Sequence, residues 1–357
     1  MNKIAIIEYK KISRISPSQF YSMKNCAYKS LLAEAFEKKP LLPVSSNAYF
    51  GSVLHKMLEL IAKGVIKDEE GFNKAFDEQM TLQEENLKRE GYDFFVPLQK
   101  NVKDFGMKKI LLKKQLRNIS EKPATSSEVK YLSEKWFESK DKLIAGKIDL
   151  VIEAEQEAEI IDFKTGAITQ DVLDDDGEIF SDIKEEYKEQ LKLYAYLYFE
   201  TNNKFPTQLS LVDLAKQKFT IDFTQSECHA IFSAAKELLK ATNESIDTKS
   251  FVANPSETNC KYCLYRPACS FYLKLLESDN SFNDISGVVK NIVKYQNGNV
   301  SMFLKNGDKE ITVTSLSSEK FNELNDNKGK HINAFNLRKE ATQFVYSATK
   351  TTIIYEQ

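Results

Sequence analysis

Several absences narrow the class of this chain before any motif is read. No apolar run is long enough to span a bilayer, which excludes a helical membrane protein. No signal peptide opens the chain, so a cytosolic protein is expected. Neither sign of charge dominates: 50 Lys and Arg stand against 52 Asp and Glu, for a formal net charge of −2. That balance excludes a polybasic nucleic-acid coat, although phosphate contacts need only a local basic stripe. Internal repeats and low-complexity segments are missing, and no Walker A sequence occurs, so any motor must be another polypeptide. Five cysteines in 357 residues without a secretory signal do not read as a disulfide framework. The 42% hydrophobic content suffices for a sizeable core, and the length predicts one large and one small unit.

What is present begins with two strands. Gly146-Lys147-Ile148-Asp149-Leu150-Val151 and Ile160-Ile161-Asp162-Phe163-Lys164-Thr165-Gly166 read as a β-hairpin. On the second strand Ile161 and Phe163 face one way while Asp162 and Lys164 share the other. A D-x-K tripeptide alone is a weak signal, common on solvated sheet faces. Here the acids interrupt runs of Ile, Leu, Val and Phe that read as buried strands. Burying Asp149, Asp162 and Lys164 unpaired would cost several kcal/mol each, so mutual pairing, a metal or both should hold them. Carboxylates suit a hard cation, which can acidify a water and stabilise a phosphorane-like transition state. That is the chemistry of phosphodiester hydrolysis.

Other chemistry-bearing residues lie on predicted helices. Phe50, Val53, Leu54, Met57, Leu58 and Ile61 recur at helical spacing; His55 lies off that stripe, with Gly51 and Glu59 one turn to either side. Packing is the commoner fate of a lone helical His; beside the acidic strands, ligation is favoured, with Glu59 orienting the ring and with a tilt towards Mn²⁺. Ile183, Tyr187, Leu191, Tyr194 and Tyr198 form a second stripe, on which Tyr187 and Tyr198 read as core and Gln190 and Tyr194 project towards the acidic strand. Cys260-x₂-Cys263-x₅-Cys269 is a tight run among turn formers. Cys26 lies on a helix announced by Ser16-Pro17-Ser18-Gln19, a capping box. Zinc would suit four thiolates as well as iron does. Cys228, after the box Thr224–Glu227, reads as an ordinary buried cysteine, and His229 and His331 as structural.

Together these motifs resemble PD-(D/E)xK nucleases of the RecB-, AddB- and Cas4-like branch, over roughly residues 12 to 275. Ile148 stands where the family name has Pro. The resemblance implies an α/β, restriction-endonuclease-like core: a central mixed sheet flanked by helices, after an N-terminal helical part. It implies catalytic roles for Asp149, Asp162, Lys164, Gln190 and Tyr194, and Mg²⁺ or Mn²⁺ held by His55, Asp149 and Asp162. It further implies a [4Fe–4S] cluster on Cys26, Cys260, Cys263 and Cys269 that staples the two ends of the nuclease region. The implied substrate is DNA, single-stranded or end-containing, in repair, recombination, CRISPR adaptation or antiphage defence, beside a separate helicase. The alternative is a non-catalytic DNA-binding subunit of a helicase–nuclease complex.

The remaining organisation is coarse. Residues 1–11 read as a strand or arm, and 16 to about 120 as mostly helical, with Phe72, Ala75, Phe76 and Gln79 on one helix. Lys108, Lys109, Lys113, Lys114 and Arg117 offer a basic stripe opposite Phe105, Leu112, Leu116 and Ile119; a solvated face explains it equally well. Asp174–Glu178 reads as a solvated acidic loop near the site. The nuclease domain is expected over 1–280. A small β-rich domain of OB type, with five strands, is expected over 283–357. It shows Asn-Gly turns at 297–298 and 306–307, and Phe303, Phe335 and Tyr346 are candidate contacts to single strands, with protein docking or packing an equal alternative.

Overall fold

The computed structural model describes residues 1–118, 129–155, 157–173, 179–278 and 282–357. Two compact units interleave along the chain: Ile12–Lys24 with Ser45–Asn243, and Met1–Lys11 with Asn25–Val44 and Glu244–Gln357. The acidic loop Asp174–Glu178 and Ile119 lie outside the described residues.

In the first unit, the predicted helices form where their caps and stripes place them. Helix α1 (Pro17–Asn25) opens at its box, the Ser16 N–H donating to Gln19 Oε1 at 3.2 Å. Helices α2 (Ser46–Ala62), α3 (Glu69–Arg89) and α4 (Phe105–Lys114) close a core around Phe50, Met57, Phe72, Phe76 and Leu112. Of the basic stripe on α4, Lys113 pairs with Glu69, and Lys109 lies 3.9 Å from Asp77 and over the Phe76 ring. Strands β1 (Lys130–Glu138), β2 (Ala145–Ala154) and β3 (Glu157–Lys164) follow, antiparallel to one another. A small hairpin of β4 (Thr169–Leu173) and β5 (Ile179–Ile183) precedes helix α5 (Glu185–Asn202). Ile183 therefore ends a strand and does not belong to the tyrosine stripe of α5, because the helix starts two residues later. Strands β6 (Gln208–Asp213) and β7 (Lys218–Ile221) complete a mixed five-stranded sheet in the order β1-β2-β3-β6-β7. The β3–β6 pair is parallel, with α5 as the crossover between them. Helix α6 (Gln225–Thr248) starts at the second expected box, where Thr224 and Glu227 bond reciprocally at 2.7 and 3.1 Å. The main core joins Ile148, Val151 and Ile160 to Leu191, Tyr198, Cys228 and Phe232.

The second unit carries an eight-stranded sheet, three strands more than expected. Ile285–Lys294, Val300–Asn306 and Lys309–Leu316 form a meander, turning at Gly298 and Gly307, both at positive φ. His331–Phe335 pairs antiparallel with the first of these, and Val345–Ser347 pairs parallel with the third. A short helix, Phe321–Asn325, lies between the third and fourth strands. The extra strands are short pairings: Arg338–Lys339 and Val345–Ser347 towards one edge, and Asn2–Lys3 at the other, beside the expected last strand Ile353–Glu356. Within the same unit Cys26 does not lie inside a helix. It occupies an extended position (φ −158°, ψ 93°) between α1 and the helix Ala27–Ala35, which breaks the single helix expected there.

Candidate active site

The sheet presents its acids where two strands part. β2 and β3 pair as far as Leu150 opposite Ile161. Beyond that point the Asp149 side chain takes over from the ladder, its Oδ2 accepting the Phe163 N–H at 2.8 Å. Asp162 is buried, with 6% of its surface exposed. Its Oδ1 accepts from Gln190 Nε2 at 2.9 Å, and Gln190 Oε1 accepts from Lys164 Nζ at 3.0 Å. Lys164 Nζ also stands 2.7 Å from Asp162 Oδ2, yet that oxygen has no aligned hydrogen-bond donor. Charge there is compensated while a lone pair stays unused. Burial first, and the Asp162 charge second, push the Asp149 carboxyl up to about 7, against smaller opposing effects of the Phe163 N–H and Lys164.

Helix α5 supplies the scaffold. Tyr187 packs against the main core as expected, and its ring face also lies 4.3 Å from the Lys164 ammonium. Tyr194 is 4% exposed, and its hydroxyl donates to the Lys147 carbonyl at 2.9 Å. That hydroxyl is committed to the backbone two residues before Asp149. Gly146 explains itself at the same contact: a Cβ there would sit 2.9 Å from the Tyr194 hydroxyl and 2.8 Å from Pro17 Cδ. Tyr198 remains core, donating to Glu153 at 2.7 Å.

From α2, Gly51 faces Thr165, whose Oγ1 would lie 3.5 Å from an added Cβ, an ordinary contact that a side chain would tolerate. His55 keeps an exposed edge. Desolvation lowers its pKa, the Asp162 charge opposes that, and Lys164 lowers it again. The net effect is a lowering, which favours the neutral ring. Glu59 does not orient this ring: Lys56 and Lys63 occupy its carboxylate at 2.8 and 2.6 Å. The i, i+4 spacing placed it near His55, but the lysines at i−3 and i+4 reach it first.

The cysteines gather in the other unit. Cys26, Cys260, Cys263 and Cys269 line one cavity with Lys29 and Arg266, and all are free thiols. Burial raises the thiols of Cys260, Cys263 and Cys269, the last to about 12. Arg266 beside them donates to the Cys263 carbonyl at 2.9 Å. Cys228 is separate and fully buried in the sheet core. His229 stacks edge-on against Tyr196, and His331 Nε2 lies 2.7 Å from the Ser286 hydroxyl.

Among the described residues, no three His, Cys, Asp or Glu side chains are gathered closely enough to hold a metal ion. The donor types nevertheless fit: hard oxygens and a neutral imidazole in the cleft, soft sulfurs in the cavity. Buried Asp162 has only the Lys164 ammonium at its Oδ2, with no aligned hydrogen bond, so that oxygen keeps a lone pair that a cation can use.

Two acids and a lysine at parting strand ends define a nuclease-type centre. The sequence profile of the PD-(D/E)XK nuclease superfamily matches residues 14–270, and the chain belongs to that superfamily. Nucleases of this superfamily generally use Mg²⁺ or Mn²⁺. A solved structure of a candidate exonuclease from Eubacterium rectale is similar at 12% identity and a TM-score of 0.43, over 70% of this chain and 87% of its own. Another, described as "Structural mimicry for functional antagonism", is similar at 11% identity and a TM-score of 0.19, over 65% of this chain and 98% of its own. No curated protein matches the chain. Among the described residues, no helix is long and apolar enough to cross a membrane.

Proposed function

We propose that this nuclease is a metal-dependent deoxyribonuclease that degrades single-stranded DNA or DNA ends as an exonuclease. The observation that carries the reading is Asp162: buried, hydrogen-bonded to Gln190 through one oxygen and ion-paired with Lys164 through the other, with Asp149 beside it. In this reading Asp149, Asp162 and His55 hold Mg²⁺ or Mn²⁺, which when bound activates a water and neutralises charge on the scissile phosphate. Lys164, held between Asp162, Gln190 and the Tyr187 face, keeps an ammonium pointed at the developing negative charge. Gln190 fixes both acid and lysine; Tyr194 fixes the strand that carries Asp149.

The four cysteines hold a [4Fe–4S] cluster in this reading, with zinc as the competing occupant; the shared cavity and the adjacent Arg266 and Lys29 support it. An OB-type module is supported by the meander, the helix before the fourth strand and the parallel return of Val345–Ser347. We assign the chain to the cytoplasm, with a separate helicase as partner, in recombination, repair, CRISPR adaptation or defence. The test is cleavage of 5′- and 3′-labelled single and double strands with Mn²⁺ and with EDTA. Metal-dependent release of end nucleotides is expected; tight DNA binding without cleavage would turn the reading into a non-catalytic subunit.

A further inference from the structure

Glu134 has no part in the reading above, yet it stands directly opposite Asp149. The β1–β2 ladder contains Ser133 opposite Leu150 and Lys135 opposite Ile148, and skips the pair between them. At that gap Glu134 has φ +56°, a left-handed backbone that a residue with a Cβ adopts at a cost. The facing of both strands changes there. On β1, Leu132 and Phe137 pack in one core although five positions separate them; on β2, Ile148 and Val151 do so across three. In an unbroken strand, residues an odd number apart face opposite sides. β3 shows no such change: Ala158 and Ile160 share that core, and Asp162 and Lys164 continue the same phase towards Gln190.

We propose that Glu134 is a positioning residue. Its left-handed backbone is the pivot at which β1 and β2 turn over, and that turn frees Asp149 from the ladder to reach the Phe163 N–H beside Asp162. The carboxylate is not the acting group, because it is occupied by Lys147. This inference rests on the nuclease reading of Asp149 and deepens it.

The test measures Mn²⁺ binding by calorimetry, without DNA, together with thermal melting, for the full chain and for E134G, E134A and E134V. Glycine takes positive φ freely, so E134G should bind Mn²⁺ as the wild type does and melt higher. A β-branched residue cannot hold the pivot, so E134V should bind about tenfold more weakly, as loss of support for a metal ligand does. E134A keeps a Cβ as Glu does and lacks only the carboxylate, so it should bind as the wild type does; if E134V fails to fold, E134T, also β-branched, carries the test. Equal binding by all four proteins, or binding by E134G as weak as that of the strained variants, overturns the pivot alone. A wild-type chain that binds no Mn²⁺ overturns the pivot and the metal reading together.

Discussion

Two aspartates in this chain are buried to nearly the same degree and treated in opposite ways. Asp284, 5% exposed, receives Arg266 on both oxygens, the Tyr272 hydroxyl at 2.7 Å and the Asn336 N–H at 2.8 Å. Asp162, 6% exposed, receives one aligned donor, from Gln190, and a lysine that compensates charge without closing the second oxygen. A saturated buried carboxylate holds the cysteine loop and the sheet strand after it in place. An unsaturated one costs stability unless something else binds it. The contrast separates a structural use of buried charge from a chemical one.

The largest expected effect tests the chemical side. Asp162→Ala and Lys164→Ala should each lower single-turnover cleavage on the order of 10³-fold, with an unchanged circular dichroism spectrum. Wild-type-like cleavage by the lysine variant at saturating metal would remove Lys164 from the mechanism. On the structural side, Ser in place of Cys26, Cys260, Cys263 or Cys269 should abolish a visible absorbance shoulder in anaerobically purified protein and lower Tm by more than about 5 °C. Cys228→Ser should leave the absorbance intact. A colourless wild type with one zinc per chain would replace iron and leave the cleft untouched.

His55→Ala should raise the Mn²⁺ needed for half-maximal cleavage roughly tenfold with little change in Tm, because the ring has an exposed edge. A drop in Tm with unchanged metal demand would make His55 a packing residue. The last effect concerns the metal-free cleft. Asp149 is raised to about 7 when folded, against about 3.9 when unfolded. Relative to a neutral side chain, its ionisation therefore destabilises the fold, by nothing below pH 4 and by its full amount above pH 7. In EDTA, Asp149→Asn should be more stable than wild type at pH 8, by at most about 4 kcal/mol, and the gap should vanish at pH 4. A gap of the same size at both pH values would show that charge is not its cause.

The acid-bearing strands were legible because charge inside Ile- and Val-rich runs has few structural explanations, and the helix starts because their boxes are local. Glu59 was misread because helical spacing assigns a face, and Lys56 and Lys63 on that same face reach its carboxylate before His55 does; the second contact of Tyr187, with Lys164, comes from a strand distant in sequence. Gly146 stood in the quoted motif without a reason until Tyr194 was seen against it. The left-handed turn at Glu134 had no signal at all, since a glutamate flanked by Ser and Lys reads as a plain strand residue. The break at Cys26 was equally silent, because no Gly or Pro marks it. The extra strands are only two or three residues long, too short for alternation to declare them.

The interleaving of the two units also orders events in time. Asn2–Lys3 pairs with Ile353–Glu356, and Cys26 shares its cavity with cysteines of the 260s. During synthesis at about 5–20 residues per second, the earliest strand waits on the order of tens of seconds for its partner, while Ile12–Lys24 and Ser45–Asn243 can already close their own sheet. The cleft is thus assembled first and the thiols are left open longest. Cys26 emerges more than 230 residues before Cys260, Cys263 and Cys269, so its thiol is open to oxidation for most of the chain's synthesis.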